Sequence, residues 1–135
     1  MANPSAPPTS RWRAFLNGFG HAIAGLWHTV RTQRNMRVHL GAAAAAIGLG
    51  LYVELERTQW AVLMLTIGFV LVAEMFNTVA EAAMDATVPR YHPLVRIAKD
   101  VAAGAVLTTA LISVAVGLLI LGPPLWARVA AWLGR

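Results

Sequence analysis

Acidic and amide side chains recur along one hydrophobic segment of this 135-residue chain at intervals that fit one face of a helix. They are Glu74, Asn77, Glu81 and Asp85, and residues 60–73 before them carry no charge. Because a carboxylate is costly at or near membrane depth, such groups usually have a function there. Carboxylate oxygens suit Mg²⁺ together with substrate phosphates, and a carboxylate free of metal can accept a proton from a hydroxyl. These four residues form one stripe along the helix, called the stripe below. The stripe fits phosphoryl transfer at a membrane surface.

A fourth acid, Asp100, follows Lys99 at the start of the next apolar segment, where Lys99 and nearby arginines could hold phosphate charge. From spacing alone, the stripe fits two other interpretations, a polar seam that packs helices and part of an ion path. The sequence has no glycine-rich phosphate loop and no nucleophile-elbow motif. The histidines are not spaced with the acids as zinc ligands, and we interpret three of them as interfacial: His21, His28 and His39.

The composition predicts an integral membrane protein, since 58% of residues are hydrophobic and 13% are charged. We expect a single membrane-embedded domain over residues 11–135, preceded by a disordered tail over residues 1–10. The absence of cysteine excludes disulfides and thiolate chemistry. The net charge of +5 lies at the flanks of apolar segments. We therefore attribute it to lipid headgroups and membrane orientation, and expect no nucleic-acid partner.

The apolar pattern predicts an all-α fold with an amphipathic helix over about residues 12–32 and three spans over about residues 38–53, 60–85 and 96–121. The first helix suits either the membrane surface or packing against the spans. Gly122, Pro123 and Pro124 are expected to end the third span, leaving an interfacial tail with Trp126 and Trp132. Eight of the eleven basic residues lie on the side of the N-terminus and the second loop. That side, which includes the acidic stripe, is therefore predicted to be cytoplasmic.

The identities of the residues in the stripe and after it narrow the possible functions more than their spacing does. They are Glu74, Asn77, Thr78, Glu81 and Asp85, then His92, Pro93 and Leu94, then Ala98, Lys99, Asp100, Gly104 and Leu107. From about residue 15 to residue 121, the chain resembles the small bacterial membrane lipid kinases, which comprise the prokaryotic diacylglycerol kinases and the undecaprenol kinases. The resemblance implies three transmembrane helices, an amphipathic surface helix and a homotrimer in the bacterial cytoplasmic membrane. It also implies transfer of the γ-phosphate of MgATP to a lipid hydroxyl.

The same resemblance implies roles for individual residues. Glu74 corresponds to the catalytic base and contacts the lipid substrate together with Lys99, and Glu81 corresponds to a metal ligand. The residues implied in ATP binding are Asn77, Asp85, His92, Lys99 and Asp100. Gln33 stands where the family commonly has a second carboxylate ligand, so we expect weaker Mg²⁺ binding. We hypothesise that activity persists with a raised Mg²⁺ requirement.

The segment around Arg34, Asn35, Arg37 and His39, and the segment around His92, resemble the undecaprenol kinase branch more than the diacylglycerol branch. We therefore favour undecaprenol as the acceptor. Two alternatives remain from the sequence. One is a catalytically weak or inactive scaffold of the same fold, and the other is a small ion or proton conductor that uses the stripe from Glu74 to Asp85.

Overall fold

The computed structural model describes residues 11–87 and 92–134, and all of the regular structure in these residues is helical. The helices are α1 (Arg11–Thr32), α2 (Arg34–Val53), α3 (Arg57–Thr87) and α4 (Pro93–Leu133). The predicted all-α fold is confirmed. The predicted disordered tail lies outside the described residues, and so do residues 88–91 of the predicted second loop.

Three of the helices are long and apolar enough to cross a membrane: α2, α3 and α4. They contain 20, 31 and 41 residues, which at 1.5 Å per residue correspond to about 30, 46 and 61 Å. A hydrocarbon core is about 30 Å thick, so α3 and α4 extend well past it. The packing is closest between α3 and α4, and α2 contacts both.

Helix α1 forms over the predicted residues and meets α2 at Gln33, whose backbone N–H donates to the carbonyl oxygen of Thr29 at 2.9 Å. Apart from Thr29 and Val30, its residues are exposed in the single chain, including large apolar ones that face away from the other helices. These are Trp12, Phe15, Leu16, Phe19, Ile23, Leu26 and Trp27.

A cluster of buried apolar residues closes the bundle at the turn between α2 and α3. It consists of Val53, Leu55, Leu63 and Leu121, and Trp60 packs against it. At this turn, Glu54 has a left-handed backbone with φ 59°, and the N–H of Leu55 donates to the carbonyl oxygen of Gly50 at 3.1 Å. A Cβ on Gly50 would lie 3.0 Å from both Leu55 and Trp60, so the close packing requires glycine here.

Helix α4 continues where the sequence predicted its end. Gly122, Pro123 and Pro124 lie inside the helix, which runs to Leu133, so the prediction that they end it is wrong. Prolines remove backbone donors and ordinarily break a helix. Here tertiary contacts hold the segment beyond them, because Leu125 packs against the apolar cluster and Arg128 Nη2 lies 2.9 Å from Glu54 Oε1. The Arg128 guanidinium also stacks on the ring of Tyr52, 5.0 Å from its centroid.

Candidate functional site

The most buried charged side chain that the structure describes is Glu74, which is 1% exposed. It lies on the inward face of α3 with Leu63, Val70 and Asn77, since intervals of three, four and seven residues return to the same face of a helix. Its Oε2 atom has no hydrogen-bond partner, and the same is true of Asn77 Oδ1. A buried polar atom left unpaired costs about 1–3 kcal/mol, so the two oxygens mark a position suited to a ligand.

Neighbouring polar groups on α3 satisfy one another but leave those two oxygens unpaired. Asn77 Nδ2 donates to Glu81 Oε1 at 3.1 Å, and Thr78 Oγ1 donates to the backbone carbonyl of Glu74 at 2.9 Å. Glu81 is half-buried, and the side chain of Asp85 is 68% exposed. Exposure therefore increases along the predicted stripe from Glu74 to Asp85.

A pocket of ≈ 210 Å³ lies beside Glu74, and its walls come from three helices. It has four polar side chains among its nine lining residues and is called the polar pocket below. Asn35, Val38 and His39 come from α2, Glu74 and Asn77 from α3, and Ala103, Val106, Leu107 and Ala110 from α4. His39 is half-buried and lines this pocket together with Glu74. The prediction that His39 lies at the membrane interface stays a prediction.

An apolar groove of ≈ 380 Å³ runs between α2, α3 and α4 from His39 to the apolar cluster. Its lining includes the small residues Ala42, Ala43 and Ala46 of α2 and Gly117 of α4. The groove and the polar pocket have His39 and Ala110 in common. The apolar groove therefore meets the polar pocket, which contains the buried Glu74 carboxylate, at these two residues.

Lys99 joins the outer end of the stripe across two helices, because its ammonium group donates to Asp85 Oδ1. Asp100, the next residue, faces Arg96 one turn earlier at 3.9 Å, and both of these side chains are about 70% exposed or more. The structure thus brings Lys99 into contact with the stripe and leaves Asp100 at the surface.

His92 and Gln33 both stand at helix starts. His92 is the exposed N-cap of α4, and its Nδ1 accepts from the backbone N–H of Leu94 at 3.3 Å, with Pro93 at the first helical position. Gln33 is the half-buried N-cap of α2, and its side chain makes no capping bond. A capping function explains His92 locally, while the Gln33 amide is not used by the helix it begins.

The fold and the site together define a small helical membrane protein with a buried acid on α3, in a pocket that its three long helices line. Residues 20–121 match the family described as Prokaryotic diacylglycerol kinase, and the chain belongs to that family. It is 43% identical over 111 residues to an undecaprenol kinase of Bacillus subtilis (strain 168), covering 82% of this chain and 90% of that protein. It is 44% identical over 111 residues to a diacylglycerol kinase of Synechocystis sp., covering 82% of this chain and 63% of that protein. The predicted family of ATP-dependent lipid kinases is confirmed.

Proposed function

We propose that this chain transfers the γ-phosphate of MgATP to the hydroxyl of a membrane lipid alcohol, and that undecaprenol is favoured over diacylglycerol as the acceptor. The buried Glu74 carboxylate, with one oxygen unpaired and a polar pocket in front of it, carries the proposal. Identities of 43% and 44% do not separate the two acceptors. The preference rests on the undecaprenol kinase relative, which is matched over 90% of its length against 63% for the other.

Glu74 acts as the catalytic base in this proposal and also contacts the acceptor. The lipid oxygen attacks the γ-phosphorus, the hydroxyl proton moves to Glu74 Oε2, and the bond from phosphorus to the bridging oxygen breaks to release ADP. The groove that reaches His39 supports an approach of the alcohol from the hydrocarbon side. These assignments agree with the rise in exposure from Glu74 to Asp85, because the most buried acid meets the lipid and the exposed acids meet the nucleotide.

Mg²⁺ is proposed to bind Glu81, with the Gln33 amide oxygen as the weaker second donor. No group of three or more His, Asp or Glu side chains that could hold a metal occurs in residues 11–87 and 92–134. Mg²⁺ does not need such a group, because it commonly uses one or two carboxylates with phosphates and water. The unpaired Asn77 Oδ1 adds a hard oxygen beside Glu81, so the residues present fit the ion. When bound, the ion neutralises charge that develops on the phosphates.

The nucleotide is proposed to contact Asn77, Asp85, His92, Lys99 and Asp100. Lys99 is half-buried and linked to the stripe through Asp85, which supports a role in holding phosphate charge. Its contact with the lipid acceptor is proposed from the family resemblance. Pockets for ligands of drug size are about 300–1,000 Å³, larger than the ≈ 210 Å³ pocket in one chain. This difference supports a homotrimer in which neighbouring subunits complete each site.

The proposed location is the bacterial cytoplasmic membrane, with the N-terminus and the site on the cytoplasmic side. The distribution of basic residues supports this orientation. The exposed aromatic and aliphatic residues of α1 support a helix that lies on the membrane surface.

The decisive experiment measures phosphate transfer from labelled ATP to undecaprenol and to diacylglycerol side by side, with the purified native chain in lipid vesicles. We expect Mg²⁺-dependent labelling of both, with a higher kcat/KM for undecaprenol. Glu74→Ala should abolish labelling, whereas Glu56→Ala, at the opposite turn, should retain it. Labelling of neither lipid at any Mg²⁺ concentration would reject the kinase and favour an inactive scaffold of the same fold.

A further inference from the structure

Two cavities of different chemistry meet at one point between α2 and α4. The residues that line both are His39 and Ala110, and of these only His39 has a polar side chain. A molecule that lies in the apolar groove therefore reaches the Glu74 carboxylate by passing His39.

The groove suits hydrocarbon along its length. Its two hydroxyl side chains both donate to the backbone of their own helices, Thr66 Oγ1 to Val62 at 2.7 Å and Ser113 Oγ to Thr109 at 2.7 Å. Apart from His39, its lining carries no ionisable side chain. A polar occupant would leave its own groups unpaired in the groove, which costs several kcal/mol in an apolar medium.

The shape of the groove favours one extended, branched chain. It follows α2 from His39 to Leu49 and α4 from Ala110 to Leu125, which correspond to about 15 and 22 Å of helix. Its small residues leave space for methyl branches, and a Cβ added to Gly117 would meet no atom within 4 Å. A lipid with two acyl chains could place only one of them in this single groove.

We propose that His39 is a positioning and specificity-determining residue, and that the apolar groove holds the part of the hydrocarbon chain nearest the hydroxyl of a single-chain isoprenoid alcohol. This inference rests on the proposed lipid kinase function. The hydroxyl leaves the groove at His39, whose ring nitrogens can form a hydrogen bond with it. The ring fixes the hydroxyl oxygen while the unpaired Glu74 Oε2 receives its proton.

Substitutions at the junction test the role of His39 in kinetics. His39→Leu removes the hydrogen bonds, and we expect kcat/KM for undecaprenol to fall about tenfold while KM for ATP changes by less than about twofold. His39→Gln keeps a donor and an acceptor, so it should recover most of the loss. Ala110→Phe should fill the junction and reduce undecaprenol phosphorylation further. Ala115→Phe is the matched control on an exposed face of α4, outside both cavities, and should behave as the native chain.

Photolabelling tests the groove without relying on turnover. Phosphatidylcholine vesicles containing the native protein receive a diazirine derivative of geranylgeraniol, and labelled residues are located by mass spectrometry. We expect labelling to concentrate on residues 42–46 and 113–118 and to be displaced by undecaprenol. The chain has no cysteine, so Gly117→Cys gives a single thiol in the groove. A covalent dimer on oxidation of this variant would show that the groove packs against the same groove of a second copy.

Each outcome decides the inference. It is overturned if Ala110→Phe and Ala115→Phe lose undecaprenol phosphorylation equally, or if KM for ATP rises in parallel in His39→Leu. It is also overturned if the photolabel spreads over exposed helix faces, or if Gly117→Cys forms the covalent dimer. A native chain that phosphorylates no alcohol overturns the proposed function instead. In that case the labelling pattern still tests occupation of the groove independently.

Discussion

The two ends of the helical bundle differ in the kinds of side chain that they bury. At the closed end, which comprises the apolar cluster and the turn at Glu54, the buried residues are aliphatic and a Cβ on Gly50 has no room. At the open end, which comprises the polar pocket and the stripe, the buried residues include Glu74, Asn77 and Thr78. Burying an aliphatic side chain stabilises a fold by about 1.5–3 kcal/mol, whereas each unpaired buried polar atom costs about 1–3 kcal/mol. The closed end therefore has a wholly apolar buried cluster, whereas the open end places two unpaired polar oxygens beside buried Met36 and Val106.

The largest expected effect is at the open end. Glu74→Gln keeps the shape of the side chain and removes the base, so we expect kcat to fall by about 10²–10⁴. The melting temperature should stay the same or rise, because a buried carboxylate is replaced by a neutral amide. Initial-rate assays and thermal unfolding in detergent measure the two quantities. A variant that loses its fold together with its activity would contradict the division between the two ends.

Within residues 11–87 and 92–134, each end has one ion pair between residues far apart in sequence, and the two pairs are similarly exposed: Lys99 with Asp85, and Arg128 with Glu54. Breaking either pair with Lys99→Gln or Arg128→Gln should cost only about 0–1 kcal/mol in unfolding free energy. Lys99→Gln alone should raise KM for ATP, by about 10–100-fold, because it removes a charged contact to phosphate. Equal KM values in the two variants would show that Lys99 does not bind the nucleotide.

Two glycines one half-turn apart test the packing of the closed end. Gly50→Ala should lower the unfolding free energy by about 1–3 kcal/mol, since its Cβ would lie 3.0 Å from the rigid ring of Trp60. Gly48→Ala should be neutral or stabilising by about 0.5–1 kcal/mol, because no atom lies within 4 Å of its Cβ. Chemical denaturation of both variants gives the comparison. Activity per folded molecule should be native in each, and a kinetic defect in Gly50→Ala would mean that the ends are coupled.

The smallest expected effect concerns the metal. Gln33→Glu adds a carboxylate at the start of α2, and the Mg²⁺ concentration for half-maximal activity should fall several-fold, by roughly 1 kcal/mol of binding free energy. Gln59→Glu makes the same change near the closed end and serves as the control. An unchanged Mg²⁺ half-saturation in Gln33→Glu would reject Gln33 as part of the metal site.

The periodicity of the sequence was enough to predict much of the fold and the shared face of the stripe. The intervals between Glu74, Asn77 and Glu81 fix a shared face whatever the neighbours are, and the structure keeps Asn77 and Glu81 in hydrogen-bonding contact. His39 could not be assigned in the same way, because its role depends on the rotation of α2 against α3. The end of α4 was mispredicted because a local rule for proline was outweighed by the contact between Arg128 and Glu54, which are 74 residues apart.

The unequal lengths of α2 and α4 have a consequence for the surrounding bilayer. Residues 38–53 give about 24 Å of uncharged helix on one side, and residues 101–127 give about 40 Å on the other. Beside the first, a lipid bilayer with a core of about 30 Å is expected to become thinner, and the second helix is expected to tilt or to thicken the bilayer around it. The thinned side borders α2, which lines the groove. A deformed membrane at that side shortens the distance over which a lipid hydroxyl must travel from the headgroup layer to Glu74, so membrane thickness becomes a variable that sets how readily the acceptor arrives.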